Sequence, residues 1–229
     1  MTHVFVGSLD DLVLDDDDRH HLERVLRLRE GEGVTAADGR GAWRPCTWRS
    51  GALAPAGDVV VERPPSPAVT VAFALTKGEK PELTVQKLTE VGVDRIVPFA
   101  AGRSVVRWDD AKAARNVERL RRVAREAAMQ SRRAFLPEVD DVRSFAEVAA
   151  LPGAALADAG GDPPSLARPT VLVGPEGGWS DEERAAGLPA VALGPHVLRA
   201  ETAAIVAGAL VVALRSSLCH DHRGSLPGG

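Results

Sequence analysis

The sequence predicts an α/β fold in which a domain built on a mainly parallel sheet follows a smaller β-rich module. Three observations carry that reading. From Val69 onward, short apolar strand-like runs alternate with helical periodicity. The segment ERPPSPAVT (Glu62 to Thr70) puts three prolines within four residues, which neither a strand nor a helix continues through. Ahead of it, strand-like runs bounded by turn residues follow one short helical stretch. The expected division is therefore 1–66 for the first module and 67–229 for the second.

In the first module the helical stretch is DDRHHLERVLRL. The strands are EGVTAAD, AWRPCTWR and DVVVER, with a turn at Asp38-Gly39, and together they suggest a compact barrel. In the second, VTVAFAL leads into a helix over PELTVQKLTEVG, where Leu83, Leu88 and Val91 share a face and Gly92 suits the stop. RIVPF comes next as a strand. A long basic helix over 111–131 then carries Val117, Leu120, Val123, Ala124 and Ala127 at helical spacing. Further strands are expected at GAALAD, TVLVG and AVALG. The last helix begins near Ala200, and its apolar character nearly all round implies burial or packing on a second subunit.

Composition narrows the class. Across 229 residues, 45% are apolar and 26% charged, enough for a real core and unlike a disordered chain. The opening MTHVFVGSLDDLVLDDDD carries acids where a secretory leader carries a basic start. Ala203 to Leu214 is too short an apolar run to span a bilayer. A cytoplasmic, soluble protein is expected. Two cysteines, Cys46 and Cys219, have no metal or disulfide spacing, and the cluster Cys219, His220, His222 sits in a Gly/Pro-ended tail, so no metal is expected. Net charge is −4, yet Arg103 to Arg133 holds ten Lys/Arg against four acids. That segregation fits a polyanion-binding face, and it fits a solvated helix face equally well.

The chemistry concentrates in VLVGPEGGWSDEE, Val171 to Glu183. Ser180 and Glu183 have capping-box spacing, so this is strand, glycine turn, helix start. Free backbone amides then face the C-terminal edge of a strand, where open α/β sheets hold ligands. Neither G-x-G-x-x-G nor a P-loop is present, and a merely structural βα turn accounts for GPEGG as well. A second junction comes soon after in VALGPHVLRAETAA. Arg199 there opposes the helix dipole; it serves either a salt bridge to Glu201 or another acid, or a ligand. Two Gly-Pro loops so close in sequence favour a shared pocket.

KGEKPELTVQKLTEVGVDRIVPF, RSVV, GPEGG before an acidic helix start, and LGPHVLRAETA together resemble the RsmE family of ribosomal RNA methyltransferases, of the SPOUT class. HHLERVLRLREGEGV with DGRG is similar to that family's PUA-like barrel, so the resemblance covers nearly the whole chain. It implies a C-terminal α/β domain threaded as a trefoil knot, a homodimer, and S-adenosylmethionine held by the knot loops. The implied reaction is methylation at N3 of a uridine in 16S ribosomal RNA of the small subunit, with no membrane partner. Carried onto this chain, cofactor contacts fall to Gly174, Pro175, Gly177, Gly178, Leu193, Gly194, Val197 and Leu198. Arg199 would steady charge on the uracil, and Glu201 or Glu176 would orient it or accept the proton. Arg24, Arg27, Arg29, Lys77, Arg103, Arg132 and Arg133 would meet RNA. This chain departs from the family pattern at MQSRR (Met129 to Arg133), where a glycine is common, and at His196, where arginine is frequent. Two alternatives stand beside this: a nucleotide-dependent enzyme with a doubly wound fold, such as a dehydrogenase using NAD, and a non-catalytic RNA-binding module.

Overall fold

A computed structural model describes residues 2–218. The chain divides into two compact units, Met1–Pro65 with Arg125–Leu136, and Ser66–Ala124 with the chain from Pro137 onward. Cys219, His220 and His222 lie outside the described residues.

The first unit is a five-stranded mixed sheet of β1 (Thr2–Phe5), β2 (Gly33–Ala37), β3 (Ala42–Arg49), β4 (Ala52–Pro55) and β5 (Val60–Val61). The order is β1-β2-β3-β4, with β5 also on β3; only β1 and β2 run parallel. Val4, Leu22, Val34, Ala36, Cys46 and Trp48 form its core. The strand expected over DVVVER shrinks to Val60–Val61, because only Ala42 and Trp43 pair with it before the prolines intervene.

The single helix expected over DDRHHLERVLRL is also corrected. Asp15 caps α1 (Asp16–His20), accepting from Asp18 N at 2.7 Å, and the chain then widens into a π turn over His21–Val25. Leu26 N reaches back five residues to His21 O at 2.9 Å, and Arg27 then turns left-handed with φ 52°.

Residues 125–136, comprising the end of the long basic helix and the short segment after it, belong to this unit. Arg125 grips both carboxylate oxygens of the buried Asp18 and lies 5.9 Å over the Phe5 ring; Asp18 and the other nearby acids hold its guanidinium above the usual arginine range. His3 Nε2 donates to Arg133 O at 3.0 Å. The helix ends with Arg133 N bonded to Ala128 O at 2.9 Å, which forces Arg132 left-handed at φ 56°. The arginine of MQSRR thus occupies a backbone conformation that suits glycine, at a cost of roughly 1 kcal/mol.

The second unit is an all-parallel, seven-stranded sheet. Its strands are β6 (Thr70–Ala74), β7 (Arg95–Ala100), β8 (Glu138–Val139), β9 (Arg143–Ser144), β10 (Ala154–Asp162), β11 (Thr170–Val173) and β12 (Ala190–Val191). They run β12-β10-β11-β6-β7-β8, with β9 also on β7. The helices are α2 (Lys80–Val91), α3 (Asp110–Gln130, the long basic one), α4 (Phe145–Ala149), α5 (Asp181–Ala185) and α6 (Ala200–Arg215).

Every residue of β6 and β11 is buried, as continuous apolar strands covered on both faces must be. Pro98 is tolerated within β7 because it falls where β8 has ended and β9 has not begun. One core layer holds Val71, Phe73, Leu88, Leu120, Val171 and Val211, and the other holds Ala72, Phe99, Leu156, Leu172 and Trp179. The strand expected over AVALG stops at Val191, so the chain is free to turn before Gly194; β10 instead runs on to Asp162 through a register shift after Ala157.

Helix α6 lies close to α2 because Gly208 has no side chain: a Cβ there would stand 2.8 Å from Leu88 Cδ2 and 2.8 Å from Val93 Cγ2.

These two backbone features set the expected effects of substitution. Arg132→Gly raises unfolding free energy by about 1 kcal/mol, since glycine takes the left-handed conformation without strain. Gly208→Val lowers it by about 1–3 kcal/mol through overpacking against Leu88 and Val93. Denaturant titration reads both.

Candidate functional site

β10, β11 and β12 run parallel, so their C-terminal ends open at one edge. A cleft of about 510 Å³ lies there, walled by Val173, Leu193, Leu198 and Ala203.

The first wall is the GPEGG turn after β11. It closes with Gly178 N bonded to Pro175 O at 2.8 Å, and Gly178 is left-handed at φ 68°. Trp179 folds back beneath the turn. Its indole is buried, stacks on Phe99 at 6.2 Å, and donates to Ala157 O at 3.0 Å. A Cβ on Gly174 would come within 3.1 Å of that indole, and one on Gly177 within 3.3 Å of Arg103. Gly178 is thus favoured by its left-handed backbone, and Gly174 and Gly177 stand where a side chain would be tightly packed.

The capping box is present in full: Ser180 Oγ accepts from Glu183 N at 3.2 Å, and Glu183 Oε2 accepts from Ser180 N at 2.8 Å. Glu183 Oε1 also accepts from Gly102 N at 2.8 Å, which fastens the loop after β7 to the turn.

The second wall is the Leu193–Arg199 loop. Gly194 has φ 152° and would meet nothing within 4 Å if it carried a Cβ. Arg199 caps α6 through extended backbone, φ −65° and ψ 152°, with no capping bond from its side chain. Among the described residues it forms no ion pair, so the salt bridge to Glu201 is not made. Glu201 turns instead to Lys80. Lys80 Nζ, on α2, donates to Glu176 Oε1 and stands 3.4 Å from Glu201 Oε2. The Glu176 hydrogen bond, aided by Glu201, holds the ammonium above the usual lysine range and therefore charged.

Of the residues singled out in the sequence, Gly174, Pro175, Glu176, Gly178, Leu193, Gly194, Val197, Leu198 and Arg199 line this one cleft. His196 lines it too. Gly177 does not; it faces Arg103. Glu201 borders a smaller adjoining cavity with Thr76 and Thr84. Lys77 is exposed and lies outside both. Arg103 stands 3.6 Å from Asp181. Arg24, Arg27 and Arg29 are exposed on the first unit, as is Arg132, while Arg133 is partly covered there.

Sequence reasoning passed over Lys80, Asp158, Trp179 and Arg184. Asp158 and Arg184 pair at the cleft. A signal for Lys80 existed, because a cation in the first turn of a helix is as anomalous there as at Arg199. None existed for Asp158, which reaches the cleft only through strand order. Among the described residues no cluster of His, Cys, Asp and Glu could hold a metal.

Apolar walls, bare turns and a guanidinium that makes no ion pair among the described residues suit a small ligand with a flat apolar part and polar edges. A family model for an RNA methyltransferase domain matches residues 63–212, and one for an RNA methyltransferase PUA domain matches 14–47. Ribosomal RNA small subunit methyltransferase E of Mycobacterium bovis is 38% identical over 89% of this chain and 87% of its own. The protein of that name from Synechocystis is 34% identical over 86% of this chain and 71% of its own. Among solved structures, ribosomal RNA small subunit methyltransferase E from Neisseria gonorrhoeae, bound to S-adenosyl methionine, is 28% identical. It superposes with a TM-score of 0.78 over 93% of this chain and 98% of its own. The turns, the cleft they enclose and these matches agree: the chain belongs to the RsmE family of ribosomal RNA methyltransferases.

Proposed function

We propose that this protein transfers a methyl group from S-adenosylmethionine to N3 of a uridine in 16S ribosomal RNA. The observation that carries this is the cleft itself, two Gly-Pro turns at one sheet edge with an unpaired Arg199 at its border. S-adenosylmethionine supplies an electrophilic methyl group on sulfur. The residues present fit it: Leu193, Leu198 and Ala203 offer apolar cover, and the bare backbone at Gly178 and Gly194 lets amides approach.

The chain's own residues have three tasks. The two turns orient the donor and the base for in-line approach. Arg199 supplies positive charge where negative charge grows on the uracil oxygens as N3 loses its proton. Glu201 or Glu176 accepts that proton or orients the ring. RNA meets Arg24, Arg27, Arg29, Arg132 and Arg133 on the first unit, and Lys77 and Arg103 on the second, mainly through phosphates. With aromatic residues at 4% and no tyrosine, stacking contributes little of the affinity.

The finer architecture belongs to the same reading. The division at 66/67 into a PUA-like RNA-binding barrel and a methyltransferase domain is supported by where the two family models fall. A trefoil knot is supported by the order β12-β10-β11-β6 with α6 returning against β6 and β11. A homodimer is supported by α6, whose Ile205, Val206 and Leu210 remain partly exposed to the sides of and away from the buried Ala204, Ala207 and Val211. No helix among the described residues is long and apolar enough to cross a membrane, and we place the protein in the cytoplasm with the small ribosomal subunit as partner.

Mass-spectrometric mapping of 16S ribosomal RNA from cells with and without the protein tests the reaction: one uridine loses its N3 methyl in the deletion. An RNA unchanged by the deletion removes the proposal. Calorimetry distinguishes a methyl donor site, which binds S-adenosylmethionine, from a dinucleotide site, which binds NAD. Arg199→Ala lowers kcat by about 10²–10³ with little change in RNA affinity, as for loss of one charge-stabilising donor. RNA affinity falls steeply with added salt, with a log–log slope of about −0.7 to −0.9 per phosphate contacted.

A further inference from the structure

Lys80 has no helical reason to be where it is. It is the first residue of α2, after an N-cap residue, Glu79, whose side chain makes no capping bond. A cation at that end opposes the helix dipole. What the position does provide is reach. The ammonium donates to Glu176 on the GPEGG turn and stands 3.4 Å from Glu201 Oε2 in the first turn of α6. Three segments remote in sequence meet at one nitrogen.

The two arms of this contact differ in kind. The Glu176 side chain is 51% exposed, and a pair with it alone would be worth little because water screens it. The Glu201 side chain is only 12% exposed, and its Oε2 is buried with no hydrogen bond. For that oxygen the ammonium is the compensating charge, and its removal would leave a buried carboxylate facing a second one. The turn, for its part, is held internally by a single backbone bond from Gly178 N to Pro175 O, with Glu176 and Gly177 facing solvent.

We propose that Lys80 is a positioning residue of this site, a clasp that holds the GPEGG turn and the start of α6 in the arrangement that receives the methyl donor. The role toward the donor rests on the function proposed for the cleft. The clasp itself is a property of the protein without ligand.

The test uses the full chain. Amide hydrogen exchange over residues 174–179 is measured on ligand-free wild type, Lys80→Met and Lys80→Arg, with S-adenosylmethionine affinity by calorimetry on the same samples. In Lys80→Met, exchange in the turn rises about tenfold and affinity falls about tenfold, as expected when the competent arrangement drops to about one-tenth occupancy. Lys80→Arg, which keeps a cation able to bridge both carboxylates, retains most of both. If Lys80→Met leaves exchange and affinity unchanged, the contact is an ordinary surface ion pair and the proposal is overturned. Equal impairment of both variants overturns it too, since a clasp needs only a cation within reach of both carboxylates, and so does a loss of affinity in Lys80→Met with exchange unchanged, which points to a direct ligand contact by the lysine. Should Lys80→Met fail to fold, Glu176→Ala releases only the exposed arm and must still speed exchange in the turn. A wild type that binds no S-adenosylmethionine, yet shows the exchange difference, sinks the proposed function and leaves the clasp standing.

Discussion

Parallel pairing sends the chain out of every strand at the same edge, and the second unit is organised by that constraint. β10, β11 and β6 are in parallel register, so the GPEGG turn after β11 and the segment after Ala157 on β10 must emerge side by side. The short β12 adds the Gly194 turn to the same edge. Complete burial of β6 and β11 makes this arrangement rigid, because a one-residue slip would exchange the two apolar faces with nothing polar to gain. Loops standing on such a base are set by their neighbours as much as by their own residues.

The glycine turn illustrates how packing and binding share residues. Gly174 is small because the Trp179 indole lies against it, and Gly178 is glycine because its backbone is left-handed. Trp179 in turn is anchored by Phe99 and by the carbonyl of Ala157. The same turn lines the cleft through Gly174, Pro175, Glu176 and Gly178. A larger residue at Gly174 would therefore disturb the core layer under the sheet before it met any ligand.

Charge in the segment from Arg103 to Arg133 proves to be heterogeneous. Arg121 pairs with Glu118 and Asp141, Arg119 lies 3.2 Å from Glu82, and Arg125 is committed to Asp18 in the first unit's interior. These arginines serve the fold. Arg107, Lys112, Arg115, Arg122 and Arg132 form no ion pair among the described residues.

Local order explains what could be read in advance. The helix over PELTVQKLTEVG, the capping box at Ser180, the proline boundary and the strand runs from VTVAFAL to TVLVG depend on neighbours within a few residues, so the chain carries them openly. The π turn after His20, the brevity of β12 and the left-handed Arg132 depend on what packs beside them and had no local signature. Within the cleft, both glycine turns and Arg199 were legible because each breaks a local rule. Lys80, Asp158 and Trp179 join them through contacts spanning 96, 26 and 22 residues, to Glu176, Arg184 and Ala157. Periodicity and capping are written into adjacent residues, whereas the meeting of distant segments comes from strand order and burial, which exist only once the chain has folded.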